Sequence, residues 1–124
     1  MSKKFDLASM SIAELTDAFL ATCYAELDQM FSSDIAAATA TYHRRQAIVG
    51  ELRRRSPDQR PALAVFLSHE HPAVRYWAAV QLLGIMPDRA LPVIEETDRK
   101  ASGPLGCQAM TTLMVYRSGE FRPT

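Results

Sequence analysis

No run of apolar residues in this chain approaches the roughly 20 needed to cross a bilayer, so a membrane-spanning role is not expected. The opening residues, MSKKFDLASMS, carry two lysines but meet Asp6 before any sustained apolar stretch, which is not the pattern of a secretory signal. With no address of either kind, the expected compartment is the cytoplasm. Cysteine is scarce as well. Cys23 and Cys107 stand 84 residues apart without metal-like or redox-like spacing, and in a cytoplasmic chain they read as reduced, half-buried small hydrophobes.

Catalytic signatures are missing too. There is no glycine-rich phosphate loop, no GxSxG elbow and no His-Glu-x-x-His helix, and Glu95-Glu96 reads as a solvated face. The expectation is a protein that is not an enzyme and needs no cofactor and no metal. Strand signals are equally thin: period-two alternation never persists, and no Asn-Gly or Asp-Gly turn occurs. The fold class expected is all-α.

What is present suits one compact domain over residues 1–124, with 48% hydrophobic and 23% charged residues. The net charge of zero conceals segregation. Between Phe5 and Tyr42 lie Asp6, Glu14, Asp17, Glu26, Asp28 and Asp34 with no Lys or Arg, a local charge of −6. Between His43 and Arg60 lie Arg44, Arg45, Arg53, Arg54, Arg55 and Arg60 against Glu51 and Asp58, a local charge of +4. Such a division serves either folding or a partner.

Helix signals follow one another along the chain. Ser11-Ile12-Ala13-Glu14 has the order of a capping box, and Ile12, Leu15, Phe19, Cys23, Leu27 and Met30 then recur at steps of three or four. A break at Ser32-Ser33-Asp34 precedes a second helix, Ile35 to Arg54, with Ile35, Ala38, Tyr42, Val49 and Leu52 at helical spacing and Ile48 beside them. Its C-terminal arginines sit where the helix dipole is negative. Asp58 or Ser56 caps a third, shorter helix with the stripe Leu63, Phe66 and Leu67, and Pro72 starts a fourth that ends near Gly84. Met86-Pro87-Asp88 opens a fifth, in which Pro92 is expected to produce a kink. Leu105 to Arg117 forms a sixth, closed by Gly119.

The C-terminal half echoes itself at an offset of 31 residues: Pro61 with Pro92, Leu63 with Ile94, Val74 with Leu105, Ala78 with Ala109, Leu82 with Leu113 and Leu83 with Met114. Within it, His71-Pro72-Ala73-Val74-Arg75, continued by Tyr76-Trp77-Ala78-Ala79-Val80-Gln81-Leu82-Leu83-Gly84, resembles the second half of a HEAT-type repeat. Asp88-Arg89-Ala90-Leu91-Pro92-Val93-Ile94 resembles the first helix of the next one. With its ending Gly119-Glu120-Phe121-Arg122-Pro123-Thr124, the chain is also similar to a family of short bacterial HEAT-like proteins known only as a domain of unknown function. Gly106, where the second copy would have an arginine, and the turn before Val74, which has no aspartate, depart from the pattern, so the charged ladder between repeats is incomplete. The resemblance implies an α-α superhelix of about six helices: an N-terminal hairpin (11–55), a first repeat (56–86) and a second (87–119). Pro72, Val74, Arg75, Ala78 and Ala79 form its structural motif, with Arg75 tying repeat units through acidic or backbone groups ahead of any ligand contact.

A helical scaffold of this kind works through its surface, and the function expected is a small bacterial module that binds another protein, of accessory or immunity type. The contacts are expected near Arg44, Arg45, Arg53, Arg54 and Tyr76. Of Tyr76 and Trp77, at least one belongs to the core, and the other is either core or contact. Two further readings stand beside this one. The arginine cluster would grip nucleic acid, although a near-neutral isoelectric point favours dipole compensation and salt bridges to the acidic first helix. A small ligand or substrate would enter a pocket between hairpin and repeats. His69, Glu70 and His71 with His43 read as turn and capping residues rather than zinc ligands. Exposed methionine or aromatic positions would equally serve a homodimer, which leaves the oligomeric state open.

Overall fold

The computed structural model describes residues 6–124, and every regular element among them is helical. Met1–Phe5, part of the segment read above for a secretory signal, lie outside the described residues. A 3₁₀ turn, Leu7–Ser9, leads into α1 (Ile12–Gln29) and α2 (Ile35–Arg54); a longer 3₁₀ segment, Arg60–Ser68, precedes α3 (Pro72–Leu82), α4 (Pro87–Lys100) and α5 (Gly103–Arg117). The contacts divide the chain into two units, one ending at Ala62 and the other running from Leu63 to Thr124.

In the first unit, local chemistry sets the helix ends. The Ser11 hydroxyl accepts the Glu14 N–H at 3.1 Å while the Glu14 carboxylate accepts the Ser11 N–H at 2.8 Å, so the capping box closes in both directions. Asp34 caps α2 by accepting from the Ala37 N–H at 3.0 Å. α1 and α2 pack on each other, and Leu15, Phe19 and Cys23 meet Ile48, Val49 and Leu52 in the buried set.

The face that α2 turns inward differs from the one expected. Ile35 is 78% exposed, and Ala38 and Tyr42 are exposed as well. Polar side chains take the inner positions instead: Thr41 donates to the Gln29 side chain at 2.9 Å, and Arg45 is only 4% exposed. The reason is that α1 supplies partners for them, so the apolar pattern of the first half of α2 loses to paired polar groups.

The third helix is 3₁₀ rather than α. Its start is nevertheless the expected one, with the Asp58 carboxylate accepting the Arg60 N–H at 2.9 Å. Leu63 and Leu67 are its buried apolar residues, and Arg60 at its start is buried as well. The three-residue repeat of a 3₁₀ helix accommodates Leu63 and Phe66 on one edge as readily as an α-helix does.

In the second unit α3 packs on α4 and α4 on α5. Small side chains make these approaches close: Ala78 and Ala79 of α3, Ala90 of α4 and Ala109 of α5 have no accessible surface. The 31-residue echo is visible as matched burial at Leu63 with Ile94, Ala78 with Ala109 and Leu82 with Leu113. It fails at Leu83, which is buried, with Met114, which is 63% exposed, and at Val74, fully buried, with Leu105, which is only partly buried. α4 runs through Pro92 without interruption.

Glycines close the second unit at two kinds of position. Gly119, at φ +83°, takes the left-handed conformation after α5, and its N–H bonds to Tyr116 while that of Phe121 reaches Val115. Gly84 does more than end α3. A Cβ there would lie 2.7 Å from backbone atoms of Thr124 and 2.8 Å from those of Pro123, so the last residues pass against the turn after α3 only because residue 84 has no side chain. Gly84→Ala is expected to lower stability by about 1–3 kcal/mol, read as a fall in thermal midpoint. An unchanged midpoint would show that the 121–124 segment contributes nothing to the unit.

Candidate functional site

The arginine cluster is the first candidate, and its geometry is that of internal wiring. Arg45 reaches across to α1: Nε donates to the Thr22 hydroxyl at 3.1 Å, Nη2 to the Thr22 carbonyl at 3.1 Å and Nη1 to Glu26 at 2.7 Å. The Phe19 ring lies 5.9 Å from its guanidinium carbon. Burial takes Arg45 out of any free surface and corrects its expected place as a partner contact. Beside it, burial pushes the Cys23 thiol up to about 11, which makes that thiol a small hydrophobe rather than a nucleophile.

Glu51 organises the C-terminal end of α2. Its buried carboxylate accepts from Arg54 and from Arg55, the latter at 2.9 Å. Arg55 also donates to the carbonyls of Leu7 at 3.1 Å and Met10 at 2.7 Å, pinning the first 3₁₀ turn onto α2. Arg60 pairs with Asp58 at 2.7 Å. Arg44 and Arg53 are exposed, but nine residues of helix separate them, which places them about 180° apart around α2. The six arginines therefore form no continuous basic face.

Two carboxylates that pair with these arginines, Glu51 and Asp58, are depressed. Arg55 and then Arg54 hold Glu51 below the usual carboxylate range, Arg60 does the same for Asp58, and the backbone of Ser11 for Glu14. Groups of this kind stabilise the fold fully above the ordinary carboxylate range, and that contribution is lost as pH falls through their lowered folded values.

The residues that resemble a HEAT-type motif all lie in α3. Pro72 occupies the first helical position and is exposed; Val74, Ala78 and Ala79 are fully buried. Arg75 donates to the carbonyls of His69 at 2.7 Å and Glu70 at 3.2 Å, and Glu96 of α4 lies 3.9 Å from it. The histidines beside it serve the backbone: His69 Nδ1 accepts the His71 N–H at 2.9 Å, and His71 Nδ1 accepts the Ala73 N–H at 3.1 Å as the cap of α3. Each bond occupies the ring lone pair that a metal would need.

Both aromatics of α3 are buried, which settles the question left between them. Tyr76, 3% exposed, shares a 2.8 Å hydroxyl–hydroxyl bond with Thr112, and the Trp77 indole donates to Gln108 at 3.1 Å. Their polar ends are thus satisfied by α5, and Tyr76 is no surface contact.

The exposed apolar side chains lie elsewhere. Phe31 (84% exposed) and Ile35 stand at the α1–α2 connection. On α5, Met110 and Met114 face solvent with Cys107 and Thr111, while only Ala109 and Leu113 are buried. No charged residue occurs from Gly103 to Tyr116. Sequence reasoning did not single out this face, although the signal was there: the stretch from Gly103 to Tyr116 carries no charge.

Two outcomes test the wiring. Arg45→Ala is expected to cost about 2–4 kcal/mol in denaturant unfolding, because Glu26 and Thr22 lose their partner, whereas Arg53→Ala stays within about 0.5 kcal/mol. Equal costs would show that Arg45 is not structural. The denaturation midpoint should hold steady between about pH 7 and pH 5 and fall below about pH 4.5, with a shallower fall in Glu51→Gln; identical pH profiles would remove Glu51 from the account.

The crystal structure of the protein RPA1889 from Rhodopseudomonas palustris CGA009 shares this fold, with a TM-score of 0.89 at 25% sequence identity over 96% of this chain and 98% of that one. None of the curated proteins matches the sequence. The profile of a domain of unknown function, DUF2019, matches residues 13–116, from the first turn of α1 to the last turn of α5. The chain belongs to the DUF2019 family.

Proposed function

We propose that this protein is a non-catalytic binding module, that its α3–α5 unit is a HEAT-like repeat scaffold, and that the exposed face of α5 receives another protein. One observation carries this reading. α5 is uncharged from Gly103 to Tyr116 and directs Met110 and Met114 outward. Thioether side chains adapt to irregular apolar partners, and an uncovered apolar stripe on a helix is a protein-docking feature. The matched burial along the 31-residue echo supports the repeat assignment, as does Arg75 bonding to backbone at the turn before its own helix.

The nucleic-acid reading finds less support. Arg45, Arg54, Arg55 and Arg60 are held by Glu26, Glu51 and Asp58, and phosphate binding needs cations aligned along one surface. Among the described residues catalysis finds no constellation either: the perturbed groups there are Glu14, Glu51 and Asp58, each explained by a cap or an ion pair, and the sealed Cys23 thiol.

The test is capture of partners from a bacterial lysate by the wild-type chain and by a Met110→Glu, Met114→Glu variant. The variant is expected to keep its thermal midpoint within a few degrees and to lose a protein that the wild type retains. Retention of the same proteins by both chains would remove α5 as the binding face.

A further inference from the structure

The first unit holds a cleft of about 480 Å³ that none of the roles above uses. Its walls come from three places: Leu7 and Met10 at the first 3₁₀ turn, Ala18 of α1, and Ala40, His43, Arg44, Ala47 and Ile48 of α2. The space exists because alanine stands at positions 18, 40 and 47, where a longer side chain would fill it. Arg55 fixes the outer wall through its bonds to the Leu7 and Met10 carbonyls, and the Ser11–Glu14 capping box follows directly. The cleft is therefore preformed, and its volume lies in the range of about 300–1,000 Å³ typical of small-molecule sites.

Its chemistry is one-sided. Six of the eight described lining residues are aliphatic or methionine, and the other two, His43 and Arg44, are neighbours on α2. Among the described residues, the side chains lining it include no carboxylate. An apolar floor with a guanidinium and an imidazole at one edge complements an apolar body ending in a single negative charge.

We infer that this cleft binds a medium-length aliphatic carboxylate, with the chain against Leu7, Met10, Ala18 and Ile48 and the carboxylate at Arg44 and His43. The inference goes beyond protein binding by α5 and does not depend on it.

The experiment is calorimetric titration of the full chain with decanoate below its micelle-forming concentration, beside decylammonium as the charge-reversed probe. Decanoate is expected to bind at one site, about tenfold or more tightly than decylammonium. Arg44→Gln should weaken it about tenfold, and Ala47→Phe, which fills the cleft from an exposed position, should abolish it. Backbone amides from Ala40 to Ile48 should shift on titration, a readout that needs no variant. The Met110→Glu, Met114→Glu chain should bind decanoate unchanged, which separates failure here from failure of the α5 face. Absence of decanoate binding, equal binding of both probes, or amide shifts confined to other helices would each overturn the assignment.

Discussion

α1 and α2 meet over a guanidinium. Arg45 enters their interface carrying a full charge, and a buried charge is tolerated only where its donors are satisfied. Here Thr22 and Glu26, one turn apart on α1, take Nε, Nη2 and Nη1 between them. An apolar seam would tolerate sliding by a turn with modest loss. This arrangement does not, because a one-turn slip of α2 would keep at most one of Thr22 and Glu26 within reach of the guanidinium. The registry of the hairpin thus depends on one side chain. The neighbouring Cys23 and Phe19 are packed against a position that cannot move.

Helix termini were legible in the sequence because capping is local. Ser11 with Glu14 and Asp34 with Ala37 act within four residues, and the bounds of α1 and α2 follow from them. The inward face of α2 was illegible, since hydrophobic periodicity assigns an arginine outward and has no way to see Glu26 waiting 19 residues earlier. Ile35 and Tyr42 were placed inward by the same logic and lie outside. Gly84 is a third kind of case. Its position after a run of apolar residues suggested a helix end, but its need for hydrogen in place of a side chain comes from chain 40 residues further on. Tyr76 was hidden for a related reason: whether a tyrosine is core or surface turns on a hydroxyl partner, and Thr112 becomes that partner only once α3 and α5 are folded together.

Charge segregation in the sequence pointed toward a partner, and the structure uses much of it at home. Glu26 pairs with Arg45, while Glu51 bridges Arg54 at the end of its own helix and Arg55 just after it. The surface left over includes apolar features beside its cations: methionines on α5, Phe31 and Ile35 at the hairpin connection, and a cleft with a basic edge. The functional emphasis therefore moves from the arginines as a patch to the small residues that leave room and the flexible ones that face outward.

The two thiols of the chain are opposites in environment. Cys23 is sealed in the hairpin and shifted far from reactivity, while Cys107 is exposed on the same side of α5 as Met110 and Met114. The native sequence thus carries its own site-selective handle. A fluorophore or spin label attached at Cys107 would sit within one or two helical turns of the methionine face, and its environment would report covering of that face without any engineered residue.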